Sequence, residues 1–175
     1  MTIVGGLRVR LMYDSLYNEI ERALTALGWF DSGRAHLPIN FINEPVDEKE
    51  EIALNTLVLY AEDGDTVQEE MGSDLSEHRR TFYLDFYAEN ISVGEHLIHD
   101  CQSILEGRMR SIGRTSHFFD IYDYQQATPP VIASAEIGED VIIDRAVTYS
   151  FPWQKNWYSC QFTVSDYWGN EDDDA

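Results

Sequence analysis

The stretch from Arg80 to Arg110, RTFYLDFYAENISVGEHLIHDCQSILEGRMR, constrains the chain most, because the hydrophobic period changes inside it. Phe82, Leu84, Phe86 and Ala88 alternate with Tyr83, Asp85 and Tyr87. Successive side chains of a strand point to opposite faces, so a period of two marks a strand. After Glu89-Asn90-Ile91 the period becomes helical. Val93, Leu97, Ile98, Cys101, Ile104, Leu105 and Met109 form one apolar stripe. Ser92 and Glu95 have the spacing of a capping box, in which the hydroxyl takes a backbone N–H and the glutamate reaches back. Arg108 and Arg110 suit the negative end of the helix dipole, and Gly113 is the expected stop. The rest of the chain should pack against this strand and helix.

Upstream, Val9, Met12, Leu16, Ile20, Ala23, Leu24 and Leu27 predict a first helix from about Arg8 or Leu11 to Leu27, with Gly28 as its stop. His36–Ile42 is a short extended piece, kept to an edge by Pro38. Ile52–Ala61 is apolar on both faces, so it belongs inside a sheet covered on two sides. Residues 62–79 carry many acids and two glycines and read as a projecting loop or hairpin arm. Downstream, His117–Tyr124, Val131–Ala135, Val141–Phe151 and Trp157–Tyr167 are predicted strands, the last two joined as a hairpin by PWQKN. The expected fold is α+β: a mainly antiparallel sheet with two helices packed on one face, plus the acidic arm. Residues 1–168 form a single domain in this reading, and 169–175 an acidic disordered tail.

With 32 acidic and 12 basic residues the formal charge is -20, which argues against wrapping duplex DNA or docking on an anionic membrane. Such acidity keeps a protein soluble; it also suits a wall that DNA passes without sticking, or a DNA mimic. The two cysteines, Cys101 and Cys160, are too few for a disulfide framework and read as buried thiols. The opening MTIVGGLRVRLMYD has no continuous apolar segment of a signal peptide, and no run is long enough to span a bilayer. The expectation is a soluble protein made in a cytoplasm.

No residue pattern predicts catalysis, a cofactor or a metal. His96 and His99 lie one turn apart, but no third ligand accompanies them and they read as surface groups. Asp63, Asp65, Glu69 and Glu70 lack the spacing of a calcium loop. Cys101 falls on the apolar stripe, where a thiol is inert. Neither GxxxxGK[ST] nor GxGxxG occurs. Trp153, Trp157, Tyr158, Tyr167 and Trp168 gather near the last hairpin, where they serve packing or a protein interface; the basic groove needed to bind single-stranded nucleic acid is missing.

Three segments together resemble the tail terminator family of long-tailed phages and, more loosely, head-tail connector and neck proteins. They are VRLMYDSLYNEIERALTALGW, RTFYLDFYAENISVGEHLIHDCQSILEGRM and DRAVTYSFPWQKNWYSCQFTVSDYW. The resemblance implies a subunit of a homo-oligomeric, hexameric ring in the virion tail or neck. Such a ring caps the tube built by the major tail tube protein and joins it to the head-tail connector protein. DNA passes through the lumen without specific binding. In that setting the expected contacts are Asp65, Glu69, Glu70, Met71, Asp74 and Glu77 of the arm, with Trp153, Lys155 and Trp157 of the hairpin. The alternatives are a head-closure or joining protein, an acidic DNA-mimic inhibitor, and an enzyme that depends on a metal or nucleotide.

Overall fold

The computed structural model describes residues 5–32, 38–43, 55–61, 66–68, 75–150 and 153–169. In chain order the elements are α1 (Gly5–Ala26), β1 (Asn40–Ile42), β2 (Thr56–Ala61), β3 (Thr66–Gln68), β4 (Leu75–Ala88), α2 (Ile91–Leu105), β5 (Phe118–Tyr122), β6 (Val131–Ile137), β7 (Ile142–Ser150) and β8 (Trp153–Gly169). A single turn of 3-10 helix, Arg110–Ile112, follows α2. The fold is α+β: two α-helices with a curled, mostly antiparallel sheet.

The spine of the sheet is the β4–β8 ribbon, paired without a break over the 14 residues of β4, from Leu75↔Gly169 to Ala88↔Asn156. At the rise of an antiparallel strand that is about 45 Å. Each edge of the ribbon takes two shorter strands in succession. On the β4 edge these are β2, paired at Thr56↔Tyr87 through Ala61↔Phe82, and then β3 at Thr66↔Arg79. On the β8 edge they are β7, from Ser150↔Trp153 to Ile142↔Gln161, and then β6 at Ile137↔Val164. β5 pairs beyond β6, and β1 lies beyond β2 in the one parallel pairing described.

Period-two alternation decides what each face buries. Phe82, Leu84, Phe86 and Ala88 of β4 and Tyr158, Cys160, Phe162 and Val164 of β8 join one buried cluster with the apolar stripes of both helices. Tyr13 of α1 lies against Phe82, with ring centroids 5.7 Å apart, and the Cys160 thiol approaches the Ile98 carbonyl of α2 at 3.9 Å. Gly94 lets α2 come close to β8, since a Cβ there would fall 2.0 Å from the Tyr158 ring. Both cysteines are free and buried. Burial raises both thiols, Cys101 well above its ordinary value and Cys160 to about 12, which keeps them protonated and inert.

α1 also closes the sheet. The Tyr17 hydroxyl donates to the Phe41 carbonyl of β1 at 2.8 Å, and the Tyr13 hydroxyl lies between the carbonyls of Leu59 and Asn43. On the opposite side of α1, the Ser15 hydroxyl accepts from the Tyr122 N–H of β5 at 3.0 Å. β1 and β5 stand at opposite ends of the strand order, so the sheet must curl for both to reach one helix. Asn55 joins the other side. At φ 60° it gives its N–H to Tyr87 and takes those of Asn40 and, through its side chain, Glu89. Asparagine tolerates this left-handed backbone better than most residues.

Several boundaries differ from the expectation. The N-cap of α2 is Asn90, whose side chain accepts from the Val93 N–H at 2.9 Å. The expected capping box is not used: Glu95 instead binds Arg145 of β7 at 2.7 Å. Asn90 wins because β4 delivers it in an extended conformation, ready to cap. α2 stops at Gly107 rather than Gly113. Arg108 N–H bonds Ser103 and Gly107 N–H bonds Ile104, the double closure of a Schellman motif. Gly107 has φ +66°, and a Cβ would meet the Ser116 carbonyl at 2.3 Å. The same pair of bonds ends α1 at Gly28. The expected loop PWQKN is mostly strand: only residues 151 and 152 separate Ser150 from Trp153. The β4–β8 ladder reaches Asn156 and the β7–β8 ladder Trp153, which holds these polar residues extended. Within the expected arm, Thr66–Gln68 and Leu75–Arg79 are strand; 62–65 and 69–74 lie outside the described residues, as do 170–175.

Candidate functional site

On the side of the ribbon away from Phe82, Leu84 and Phe86, β2, β4 and β8 present a second face. Thr56, Val58 and Tyr60 stand beside Tyr87, Asp85 and Tyr83, which stand beside Trp157, Ser159 and Gln161. This face is aromatic and polar at once. Its centre is Asp85, only 6% exposed. Ser159, directly opposite on β8, donates its hydroxyl to Asp85 Oδ1 at 2.5 Å. Tyr60, two residues along β2 from Val58, which lies opposite Asp85, donates to Oδ2 at 2.8 Å. The Trp157 side chain adds a further hydrogen bond. Tyr60 and Tyr83 stack with centroids 5.1 Å apart.

A buried carboxylate is tolerated when its oxygens find donors, and here the two strands flanking β4 supply them. Burial raises the Asp85 carboxyl above the ordinary range, against the pull of bonds from Ser159, Tyr60 and Trp157. The same network raises the Tyr60 phenol, by burial first and then by its bond to Asp85. A serine held by an aspartate can look like a nucleophile and base. Ser159 is 4% exposed, however, and its hydroxyl proton is committed to Asp85. The cluster therefore fastens β2, β4 and β8 in register and fixes an aromatic surface of tyrosines and Trp157.

A raised pKa in the folded state means that folding retains a proton the unfolded chain has released. That contribution is fully present below the ordinary carboxylate range and is lost as pH rises through the folded pKa of Asp85. The stability of the wild type minus that of Asp85→Asn should therefore fall from about pH 3 to neutrality. Urea midpoints across that range measure it; a difference that grows with pH would contradict the assignment.

A second buried polar group lies on the other side of the molecule. Arg114 is 4% exposed and joins the last turn of α2 to β5, through Nε to the Ile104 carbonyl at 2.9 Å and Nη1 to the Phe118 carbonyl at 2.6 Å. Burial pulls its pKa down and nearby Glu19 pushes it up. A cleft of about 310 Å³ opens beside it, between Glu19, Ser116 and Asp120. Another, of about 380 Å³, lies where β6 gives way to β7, near Arg79, Gly138 and Thr163.

Of the residues expected at an interface, Asp65, Glu69, Glu70, Met71 and Asp74 lie outside the described residues. Glu77 is placed in β4 opposite Tyr167, Trp153 in β8 opposite Ser150, and Lys155 opposite Thr148; their side chains are likewise outside the description. Trp157 is half-buried on the Asp85 face. Ten pairs separate Glu77 from Trp157 along the ribbon, about 33 Å, so arm and hairpin occupy opposite ends. Tyr158, grouped with Trp157 by sequence, points the other way, into the core. His96 and His99 are exposed and sit 3.6 and 3.4 Å from Asp100 and Glu95. Among the described residues no group of three or more His, Cys, Asp or Glu could hold a metal ion, and no helix is long and apolar enough to cross a membrane. Sequence reading missed Asp85 and Arg114 as centres. The available signal for Asp85 was a single acid among aromatic residues in a strand. No known protein-family profile and no curated protein matches the chain significantly.

Proposed function

We propose that the protein is a structural subunit of a phage neck, a tail terminator that assembles as a hexameric ring between tail tube and head connector. The observation that carries this reading is the β4–β8 ribbon, which sets its Leu75–Gly169 end and its Ala88–Asn156 end about 45 Å apart. A joining subunit must meet two partners on opposite sides, and a rigid strand pair that keeps two tips apart suits that task. Both helices, covering one face, stiffen the ribbon, and the Asp85 network keeps its strands in register on the other. The net charge of -20 suits a lumen through which DNA slides. The three segments that resemble tail terminators form α1, the β4–α2 unit and the β7–β8 hairpin. A head-closure or joining protein would share these features and differ in which partner each tip meets.

The test is electron microscopy of the purified protein, alone and with tail tubes assembled from the major tail protein. Rings seated on tube ends are expected. Replacing residues 69–74 by a short glycine-serine link keeps the Leu75–Gly169 pair, so it should leave the melting temperature unchanged and abolish tube capping. A wild-type protein that stays monomeric and ignores tube ends would refute the reading.

A further inference from the structure

We propose that the free edge of β7 accepts an extended, basic segment of a partner protein as an added strand. An open strand edge is a row of unpaired N–H and C=O groups, and natural sheets protect such edges. Here the protection is uneven. The edges of β1 and β5 are covered by α1, through Tyr17 on the Phe41 carbonyl and Ser15 on the Tyr122 N–H. β7 has 9 residues, pairs only with β8, and carries no such cover among the described residues.

Its sequence, IIDRAVTYS, lacks the usual deterrents: it has no proline and no lysine. Its one cation, Arg145, is folded back onto Glu95 of α2 at 2.7 Å. Ile142 at the start of the strand is 52% exposed and offers an apolar contact. Beside this edge Glu139, Asp140 and Asp144 are exposed; Arg79 lines the cleft it shares with Glu139 and Asp140, and the three acids outnumber it. Main-chain pairing gives such a site its affinity and flanking charges give it selectivity. The complement of an acidic edge is a strand bearing lysine or arginine. A second copy of this edge would bring the same acids, with its one β7 cation already paired, and is the wrong partner here. The inference stands on the edge and its charges, independently of the ring reading.

The test uses the full chain with two short fluorescent peptides, one alternating valine and lysine, the other valine and glutamate. Amide exchange read by mass spectrometry locates binding, and anisotropy at low salt gives affinity. The lysine peptide should slow exchange across 142–150, and the glutamate peptide should not. Asp144→Lys should weaken the lysine peptide about two- to fivefold, the range of one exposed ion pair. The proposal is overturned by equal binding of both peptides, by protection confined to other segments, or by no protection at all. Protection of 142–150 that grows with protein concentration and needs no peptide would assign the edge to a second copy and overturn it as well.

Discussion

Trp29→Ala should lower the stability of the fold by about 3–5 kcal/mol, the range for deleting a large buried aromatic side chain. Trp29 is 2% exposed and follows the Schellman turn that ends α1. Its backbone carbonyl takes the Ile39 N–H at 3.1 Å, which sets the approach to β1. Its indole N–H donates to Asp100 of α2 at 2.8 Å, and its ring meets His96 edge-on at 5.0 Å. The residue thus joins the end of α1 to the start of the sheet through its backbone, and to the middle of α2 through its side chain. Trp29→Phe separates the contributions. It keeps most of the apolar burial and loses the bond to the carboxylate, so it should cost about 1.5 kcal/mol. Urea unfolding followed by far-UV circular dichroism measures both. Equal losses for the two variants would mean that the hydrogen bond, rather than burial, carries the effect.

Arg114→Met should cost about 3 kcal/mol, because it leaves the Ile104 and Phe118 carbonyls without their donor. Methionine has similar length and fills much of the space, so the loss reports the missing bonds. Arg114→Lys should be nearly as damaging. One ammonium cannot reproduce the guanidinium fork that reaches two carbonyls from one side chain. Glu19→Gln is the control. Glu19 is 3.8 Å from Arg114 but is bound more closely by exposed Arg22, at 2.6 Å, and its loss should cost less than about 1 kcal/mol. Proteolysis should cut the 106–117 connection faster in Arg114→Met than in Glu19→Gln. Midpoints of Arg114→Met within error of the wild type would show that water replaces the guanidinium without loss.

Where a residue's environment follows from its near neighbours, the sequence was a sufficient guide. The alternation of β4 and the apolar stripe of α2 placed Phe82, Leu84, Phe86, Leu97, Ile98 and Cys101 in the core, and all six are buried. Gly28 ended α1 as its position implied. Choices between equivalent local signals were not readable. Asn90 and Ser92 are both good N-caps, and Gly107 and Gly113 both adopt positive φ. The end of β4 selected the first cap, and the approach of the Ser116 carbonyl selected the first glycine. Polarity misled at PWQKN, because strand pairing depends on the backbone across the ladder more than on the side chains being paired.

The amino-acid sequence determined the period of each segment, and with it the helices, most strands and the face each one buries. Only the tertiary structure decided that α1 closes the edges of β1 and β5, and that β7 pairs with β8 alone among the described residues. It also decided that Asp85 gathers Ser159 from 74 residues away and Tyr60 from 25. Periodicity is a local property, carried by neighbours in the chain. A hydrogen bond between distant residues depends on register, and register is set only when the whole sheet has formed.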